Sequence, residues 1–215
     1  MTDRPILFSG PMVQALLADR KTQTRRILKP QPGSDGIYPD ISSAKKALRI
    51  VRGDRLWVRE AWRTSAGVDD VAPSRLEVPG GGYGWPIWYD ADSGEVTWRG
   101  SQTGGPSFTA PGKLRPSMFM PRWASRLTLT VTEVRVQRLQ ELSAEDAAAE
   151  GLIQLSASKR WVIERGEQYF GCAHHDPRAV YEMLWERING ADSWAANPWV
   201  AAYTFTVERR NSDHG

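Results

Sequence analysis

The sequence predicts an α+β fold, in which short helices accompany a small mixed or antiparallel β-barrel and a long insertion lies over that core. The predicted strands are short and far apart along the chain, with short helices between them. Alternating βαβ units with glycine-rich phosphate loops are absent from the sequence, which argues against a parallel α/β sheet.

The first predicted helix begins at Ser9-Gly10-Pro11, because proline costs nothing in the first helical turn. Apolar residues at helical spacing mark its buried face: Met12, Val13, Leu16 and Leu17. A strand is predicted at 27–28, before the proline and glycine residues of 29–33 end it. A weak helix at 43–50 and a strand at 55–60, with alternating apolar residues, complete the N-terminal part.

The C-terminal part begins with a predicted hairpin that pairs 87–89 with 96–98. A long strand follows at 127–138, where apolar residues alternate with threonines. A capping box at Ser143 predicts a helix that ends at Glu150-Gly151. A further helix runs from Asp176-Pro177 to Asn189-Gly190, and the last strand covers 199–208. Four residues of that helix are expected to face inward: Val180, Met183, Leu184 and Ile188.

These elements indicate one domain over residues 1–208, with insertions at about 64–116 and 153–175 and a frayed polar tail at 209–215. Within the first insertion, a glycine- and proline-rich run at 78–86 cannot form a helix and would make a poor central strand. Long loops of this kind often act as functional lids. Residues 152–175 are expected to be irregular.

The composition favours a cytosolic protein with an affinity for nucleic acids or nucleotides. In 215 residues there is one cysteine, Cys172, which excludes an intrachain disulfide and a multi-cysteine zinc site. Neither an apolar run long enough to span a membrane nor the apolar region of a signal peptide is present, so we expect a cytoplasmic location. The net charge is only +3, but arginine far outnumbers lysine and there are ten tryptophans. Arginine suits phosphates and tryptophan suits base stacking, although a tryptophan is more often a core residue.

A cationic run at 20–26 is the first candidate for chemistry. Arg20, Arg25 and Arg26 crowd Lys21, and like charge with partial burial lowers the pKa of a lysine. A lysine that is neutral part of the time can act as a base toward the hydroxyl of Thr24. The alternative is an ordinary solvated surface loop.

Two glutamates are further candidates. Glu150 ends the capped helix, and the alternative is an ordinary surface residue. Glu60 ends a strand, where site residues often lie, and the alternative is a simple pairing with Arg59.

A metal site is not expected, although Cys172, His174, His175 and Asp176 resemble ligands at first sight. Zinc sites need three or four ligands with a second cluster elsewhere, and the only other histidine is His214 in the tail. Asp176 is better explained as the cap of the helix that Pro177 begins. We expect no cofactor.

The chain resembles the ASCH family of the PUA-like superfamily. The run from Asp19 to Arg26 resembles the family signature Gly-x-Lys-x-x-(Glu/Thr)-x-Arg, with Asp19 in place of the glycine. Three further stretches resemble the remaining family core: Gly53-Asp54 with its strand, the strand from 127 with the helix after Ser143, and the last strand. The runs at 118–126 and 197–200 resemble those of long ASCH-like proteins encoded by phages and prophages. The resemblance implies a PUA-like barrel.

Some small ASCH proteins are N4-acetylcytidine amidohydrolases that use a lysine, a threonine and a glutamate. The resemblance places these roles on Lys21, Thr24 and Glu150. It implies that Thr24 attacks the acetyl carbonyl, Lys21 takes its proton, and Glu150 protonates the departing amine. The candidate substrate-binding residues are Arg26, Trp57, Arg59, Glu60 and Trp123. Trp62 is a further candidate for stacking on the base.

The sequence leaves four functions open. The first is an amidohydrolase acting on N4-acetylcytidine or a related modified nucleobase or nucleoside. The second is a non-enzymatic module that binds RNA or other single-stranded nucleic acid, favoured by arginines clustered at 20–26 and 115–126. The third is an ASCH nuclease, and the fourth is a phage role in DNA modification or morphogenesis.

Overall fold

The computed structural model describes residues 2–31, 41–46, 48–76, 84–92, 96–100 and 110–211. The helices are α1 (Gly10–Leu17), α2 (Ile41–Lys46), α3 (Ala144–Ala149) and α4 (Pro177–Asn189). The strands are β1 (Asp3–Leu7), β2 (Gln23–Ile27), β3 (Arg55–Arg59), β4 (Trp62–Arg63), β5 (Gly84–Tyr89), β6 (Val96–Gly100), β7 (Thr128–Arg138), β8 (Ile153–Gln154), β9 (Trp161–Val162) and β10 (Trp199–Glu208). This mixture, mostly sheet with short helices, confirms the predicted α+β class.

The largest sheet has five strands in the order β1-β3-β7-β10-β2. β1 runs parallel to β3, with Ile6 opposite Val58, whereas β2 runs antiparallel to β10, with Thr24 opposite Tyr203. The sheet is therefore mixed. Among the described residues β1 and β2 stand at the two ends of this order, and the sheet does not close, so the predicted small barrel is not confirmed.

The chain divides into two compact units. Unit 1 consists of Met1–Gln14, Arg55–Leu129 and Val207–Gly215, and unit 2 consists of Ala15–Asp54 and Thr130–Thr206.

The predicted insertion contributes to the core of unit 1. β4, β5 and β6 form a three-stranded sheet, with Ile87 opposite Thr97, so the predicted hairpin is confirmed. Six buried residues form its cluster: Trp62, Leu76, Ile87, Tyr89, Met120 and Ala124. Half of this cluster lies within 64–116, so the insertion packs together with residues of the predicted domain core in one hydrophobic cluster.

The last described residue of the tail is held by unit 1 rather than frayed. Asn211 is buried, and its amide donates to the backbone carbonyls of Arg122 and Ser125 at 2.8 and 2.9 Å. The predicted fraying is therefore wrong at Asn211, because its side chain satisfies carbonyls inside the unit.

The core of unit 2 packs α3 against α4. Its buried residues are Leu139, Leu142, Ala147, Leu152, Val180, Tyr181, Trp185 and Val200. The predicted caps are confirmed, since Ser143 accepts from the amide of Asp146 at 3.1 Å and Asp176 accepts from that of Arg178 at 2.9 Å. Ile188 was predicted to face inward but is 51% exposed, because the last turn of α4 faces solvent.

Several element boundaries differ from the predicted ones. β2 begins at Gln23 instead of residue 27, and α2 occupies Ile41–Lys46 instead of 43–50. Residues expected to be irregular include a short hairpin, in which Ile153 of β8 lies opposite Val162 of β9. Parts of the predicted features lie outside the described residues, namely 78–83, 93–95 and 212–215. Within the described residues, no helix has the length and apolar character needed to cross a membrane.

Candidate active site

Lys21 and Glu150 are in direct contact inside unit 2. Their backbones form an isolated antiparallel bridge, next to a hydrogen bond from the amide of Thr22 to the carbonyl of Ala149 at 2.9 Å. The Lys21 Nζ donates to both the backbone carbonyl and the carboxylate Oε2 of Glu150, each at 2.8 Å. Lys21 is 0% exposed and Glu150 is 5% exposed. The structure thus brings two of the three predicted catalytic residues together, away from water.

A glycine makes this close approach achievable. Gly151 follows the last turn of α3 with a φ of +106°, in the left-handed region that favours glycine. A Cβ at this position would lie 2.8 Å from the Cβ of Ala15 and 3.1 Å from the Cβ of Lys21. The end of α3 can therefore reach Lys21 only with glycine at position 151.

The carboxylate of Glu150 has further partners beyond Lys21. Its Oε1 accepts from the Nη1 of Arg25 at 2.9 Å and from the hydroxyl of Tyr181 at 3.3 Å. The Nη2 of Arg25 donates to Asp146 Oδ2 at 2.9 Å. We call these five residues the buried polar cluster: Lys21, Arg25, Asp146, Glu150 and Tyr181. Two cations and two carboxylates share a nearly water-free space, so each charge is compensated.

The surroundings of Lys21 lower the pKa of its amine. Burial lowers the pKa of Lys21, and the nearby Arg26 and Arg25 act in the same direction, whereas Glu150 opposes the shift. The sequence predicted this direction from the neighbouring arginines together with partial burial, and burial is the largest cause. Burial and the adjacent Glu150 also raise the pKa of Tyr181, so its hydroxyl remains a donor.

Thr24 and Arg26 lie on the other face of β2. Side chains alternate along a strand, and Gln23 and Arg25 both point to Asp146 on the face that contacts α3. Thr24 is 1% exposed and pairs in register with Tyr203 of β10. Burial lowers the pKa of Arg26, while Glu150 acts in the opposite direction. Lys21 lies two residues before β2 begins, where its backbone pairs with that of Glu150.

Glu60, a candidate for substrate binding, has a structural partner in unit 1. It is 1% exposed, and its two oxygens accept from the Nε and Nη2 of Arg126, each at 2.8 Å. Arg126 also pairs with Asp92, and its guanidinium carbon lies 3.9 Å from the ring centroid of Tyr89. Glu60 is therefore bound bidentately by Arg126. The alternative to a site role that the sequence offered, a pairing with Arg59, names the wrong arginine.

The remaining candidate aromatic residues also lie in unit 1, where each contacts other protein groups. Trp57 is 6% exposed, and the guanidinium of Arg59 lies 4.5 Å from its ring centroid. Trp123 donates from Nε1 to the carbonyl of Leu76 at 2.9 Å, with its ring edge-on to Trp62. Trp62 is 0% exposed and is a core residue, so its ring is closed to a base.

We expect Arg126→Met to destabilise the protein by about 2 kcal/mol. The substitution removes hydrogen bonds to charged groups and leaves the buried Glu60 carboxylate without the guanidinium that binds it. Chemical denaturation would measure the change. The double variant Arg126→Met/Glu60→Gln is expected to recover part of the loss. A double variant less stable than the single one would contradict the assignment of this pair.

The histidine-containing segment contributes to the local backbone structure. The Nδ1 of His174 accepts from the backbone amide of Asp176 at 3.0 Å, and Asp176 caps α4. Within the described ranges, no three or more His, Cys, Asp or Glu side chains cluster as a metal ion would require.

Among the clefts lined by described residues, two lie away from this site. One, of about 340 Å³ in unit 2, is lined by Gln140, Asp176, Arg178, Ala179, Glu182 and Trp194. The other, of about 300 Å³ in unit 1, is lined by 69–73, 113–116 and Phe119. Neither cleft includes Lys21, Thr24 or Glu150.

Comparison with known proteins gives no relatives: the chain matches no protein-family model, no curated protein and no solved structure. The family resemblance therefore remains a hypothesis that rests on the sequence motifs.

Asp146 and Tyr181 were not predicted as site residues from the sequence, and Arg25 was predicted to act only through its charge on Lys21. A signal was present for two of them. Lys21, Gln23 and Arg25 are polar at every second position, as on one face of a strand, and Asp146 precedes Glu150 by one helical turn. Tyr181 had no such signal, because its contact with Glu150 depends on how α4 packs.

Proposed function

We propose that this chain is an ASCH-type amidohydrolase that removes the acyl group from N4-acetylcytidine or a related modified nucleobase or nucleoside. The observation that supports this most strongly is the buried contact of 2.8 Å between the Lys21 Nζ and Glu150 Oε2. This contact joins the base and the acid that the resemblance implies, in surroundings that lower the pKa of the base.

The first half-reaction begins when the proton shared by the pair moves from Lys21 to Glu150, so that the ion pair becomes a neutral amine and a carboxylic acid. Thr24 Oγ1 attacks the acetyl carbonyl, and its proton passes to the Lys21 amine. The C–N bond then breaks, and Glu150 gives its proton to the departing exocyclic nitrogen of cytosine. Cytidine leaves, Thr24 carries the acetyl ester, and the pair is now the ammonium and the carboxylate.

In the second half-reaction water attacks the ester. Glu150 takes a proton from the water, the tetrahedral intermediate collapses to acetic acid, and Lys21 returns a proton to the Thr24 oxygen. The acetic acid releases its proton to solvent as it leaves as acetate. The neutral amine and protonated acid are restored, so the cycle closes with no net proton change on the pair. Because the pair is in contact, its ion-pair and neutral states differ only by the position of one proton.

Three neighbours have supporting roles. Arg25 and Tyr181 donate to Glu150 Oε1 and fix its orientation, which leaves Oε2 for proton transfer with Lys21. Arg26 binds a base carbonyl or the oxyanion that forms during attack. Thr24 is 1% exposed and lies on the face of β2 opposite Arg25. The residues around it must therefore move, both to admit a nucleoside and to bring its hydroxyl to the Lys21 amine.

The function is tested by incubating the purified protein with N4-acetylcytidine and separating the products by chromatography. We expect cytidine and acetate to be released in equal amounts. If no deacylation is detected with the nucleoside or with the acetylated base, the proposal is wrong.

The alternative, a nucleic-acid-binding module without catalysis, loses part of its original support. Arg25 and Arg115 are each 3% exposed, and Arg126 is engaged by two carboxylates. Arg115 donates to the backbone carbonyls of Val68 and Val71. Many arginines of the two clusters therefore stabilise the interior instead of forming a basic surface.

We expect Lys21→Arg to lower kcat/KM by on the order of 10²-fold or more, because arginine keeps the charge but does not lose its proton at accessible pH. In the wild type, kcat/KM should rise with pH as Lys21 loses its proton, over a range shifted below the ordinary lysine pKa. Steady-state kinetics across pH would measure both effects. A fully active Lys21→Arg variant with an unchanged pH profile would exclude Lys21 as the base.

A further inference from the structure

Two aromatic side chains project into solvent from a turn in unit 2. Tyr169 and Phe170 are adjacent and are each 83% exposed, more than any other large apolar side chain that the structure describes. They end a 3-10 turn, Glu167–Phe170, that lies between two glycines in the left-handed region, Gly166 and Gly171. An exposed aromatic pair indicates a binding surface, since exposure of such rings to water is unfavourable.

Hydrogen bonds of Glu167 fix the conformation of this turn. The Oε1 of Glu167 accepts from the Nη2 of Arg187 on α4 at 2.9 Å, and its Oε2 accepts from the amide of Glu164 at 3.0 Å. The amide of Cys172 donates to the carbonyl of Glu167 at 3.3 Å. These contacts fix the turn so that the two rings are presented outward at little further conformational cost.

Positive charge adjoins the rings. Arg165 is exposed and precedes the turn, and it lies near enough to Arg20 to repel it. Arg20 donates from Nη1 to the carbonyl of Gly151 at 2.6 Å, next to Glu150. Within the part of the chain that the structure describes, neither guanidinium forms an ion pair with a carboxylate. Two neighbouring guanidiniums without a carboxylate suit a bound phosphate.

The turn and the buried polar cluster are both anchored on α4. Arg187 holds the turn, and Tyr181, which donates to Glu150, lies six residues earlier, about 9 Å along the helix axis. A strand bound at the rings is thus held on the unit that contains the cluster, and the residues that cover the cluster must move before one of its nucleotides enters.

We propose that Tyr169, Phe170, Arg165 and Arg20 bind single-stranded RNA, with bases stacked on the rings and phosphates on the arginines. This inference rests on the proposed function, and it identifies the substrate as an acetylated cytidine within an RNA strand. Stacking on exposed aromatic residues beside basic groups is how proteins bind unpaired strands without strong sequence preference.

The test is fluorescence anisotropy with a labelled single-stranded RNA oligonucleotide that contains one N4-acetylcytidine. Binding is measured in the Thr24→Val background, so that it does not depend on turnover. We expect Tyr169→Ala and Phe170→Ala each to weaken RNA binding by about 5- to 100-fold, the range seen when an aromatic stacking partner is removed. Arg165→Gln should reduce the slope of log affinity against log salt by about 1.

The matched control is Met118→Ala/Phe119→Ala, which removes two other exposed apolar side chains, 58% and 55% exposed, in unit 1. We expect this variant to bind RNA as the parent does. Equal weakening by this control, or RNA binding unaffected by Tyr169→Ala/Phe170→Ala, would overturn the proposal. Single-stranded DNA bound more tightly than RNA would overturn the assignment to RNA, and loss of self-association without loss of RNA binding would identify a protein interface instead.

Failure of this surface and failure of the proposed function give different results. If the surface is wrong but the enzyme assignment is right, free N4-acetylcytidine is hydrolysed and the aromatic variants bind RNA normally. If the enzyme assignment is wrong but the surface is right, the aromatic variants lose RNA binding and neither substrate is hydrolysed. If both are right, the aromatic variants keep kcat/KM on the free nucleoside and lose it on the RNA.

Discussion

Thr24→Val should abolish amidohydrolase activity while leaving the fold intact. Valine matches the shape of threonine but has no hydroxyl, so no acetyl ester can form. Because the residue stays buried and nearly isosteric, the free energy of unfolding should change by no more than about 1 kcal/mol. Cytidine release measured by chromatography, together with chemical denaturation, would check both parts.

The matched control for this variant is Thr22→Val, two residues earlier on the chain. Thr22 is exposed and outside the buried polar cluster, so its replacement should leave cytidine release near the wild-type rate. If Thr24→Val releases cytidine as fast as Thr22→Val, Thr24 is not the nucleophile.

Glu150→Ala should destabilise the protein strongly, as well as abolish activity. The substitution leaves the Lys21 amine and the Arg25 guanidinium without the carboxylate that both contact at 2.8–2.9 Å. Removing one member of a buried ion pair costs about 3–5 kcal/mol, because the remaining charge is uncompensated. Denaturant unfolding of the variant and the wild type would measure the difference.

Glu145→Ala is the control, because Glu145 lies in the first turn of the same helix but is exposed. We expect it to have little effect on either unfolding or activity. If Glu145→Ala lowered activity and Glu150→Ala did not, the acid would be Glu145 and the motif would align one turn earlier. A stable and active Glu150→Ala variant would contradict the role of the buried contact.

Much of the secondary structure could be predicted, because local signals determine it. The caps at Ser143 and Asp176, the proline that begins α4 and the alternation in β10 each act over a few residues. β2 was misplaced because its buried face is polar. Gln23 and Arg25 are satisfied by Asp146 and Glu150, a long-range arrangement that apolar periodicity does not register.

The candidate site was predicted only in part, because some of its residues carry a local motif and others are brought in by long-range contacts. Residue type and motif spacing pointed to Lys21 and Glu150, which the structure places in contact. The partner of Glu60 could not be predicted, since Arg126 reaches it from 66 positions away in sequence. The arginine clusters at 20–26 and 115–126 were interpreted as a basic surface, yet several of these residues bind buried carboxylates and carbonyls.

The most direct test of the central claim is a crystal structure of the Thr24→Val variant bound to N4-acetylcytidine. We predict that the acetyl carbonyl carbon lies within about 3.5 Å of the side chain at position 24, as a near-attack geometry requires. The exocyclic nitrogen should lie within hydrogen-bonding reach of the Glu150 carboxylate, with Lys21 still in contact with it. A nucleoside bound elsewhere, with the Lys21–Glu150 pair closed to it, would contradict the account.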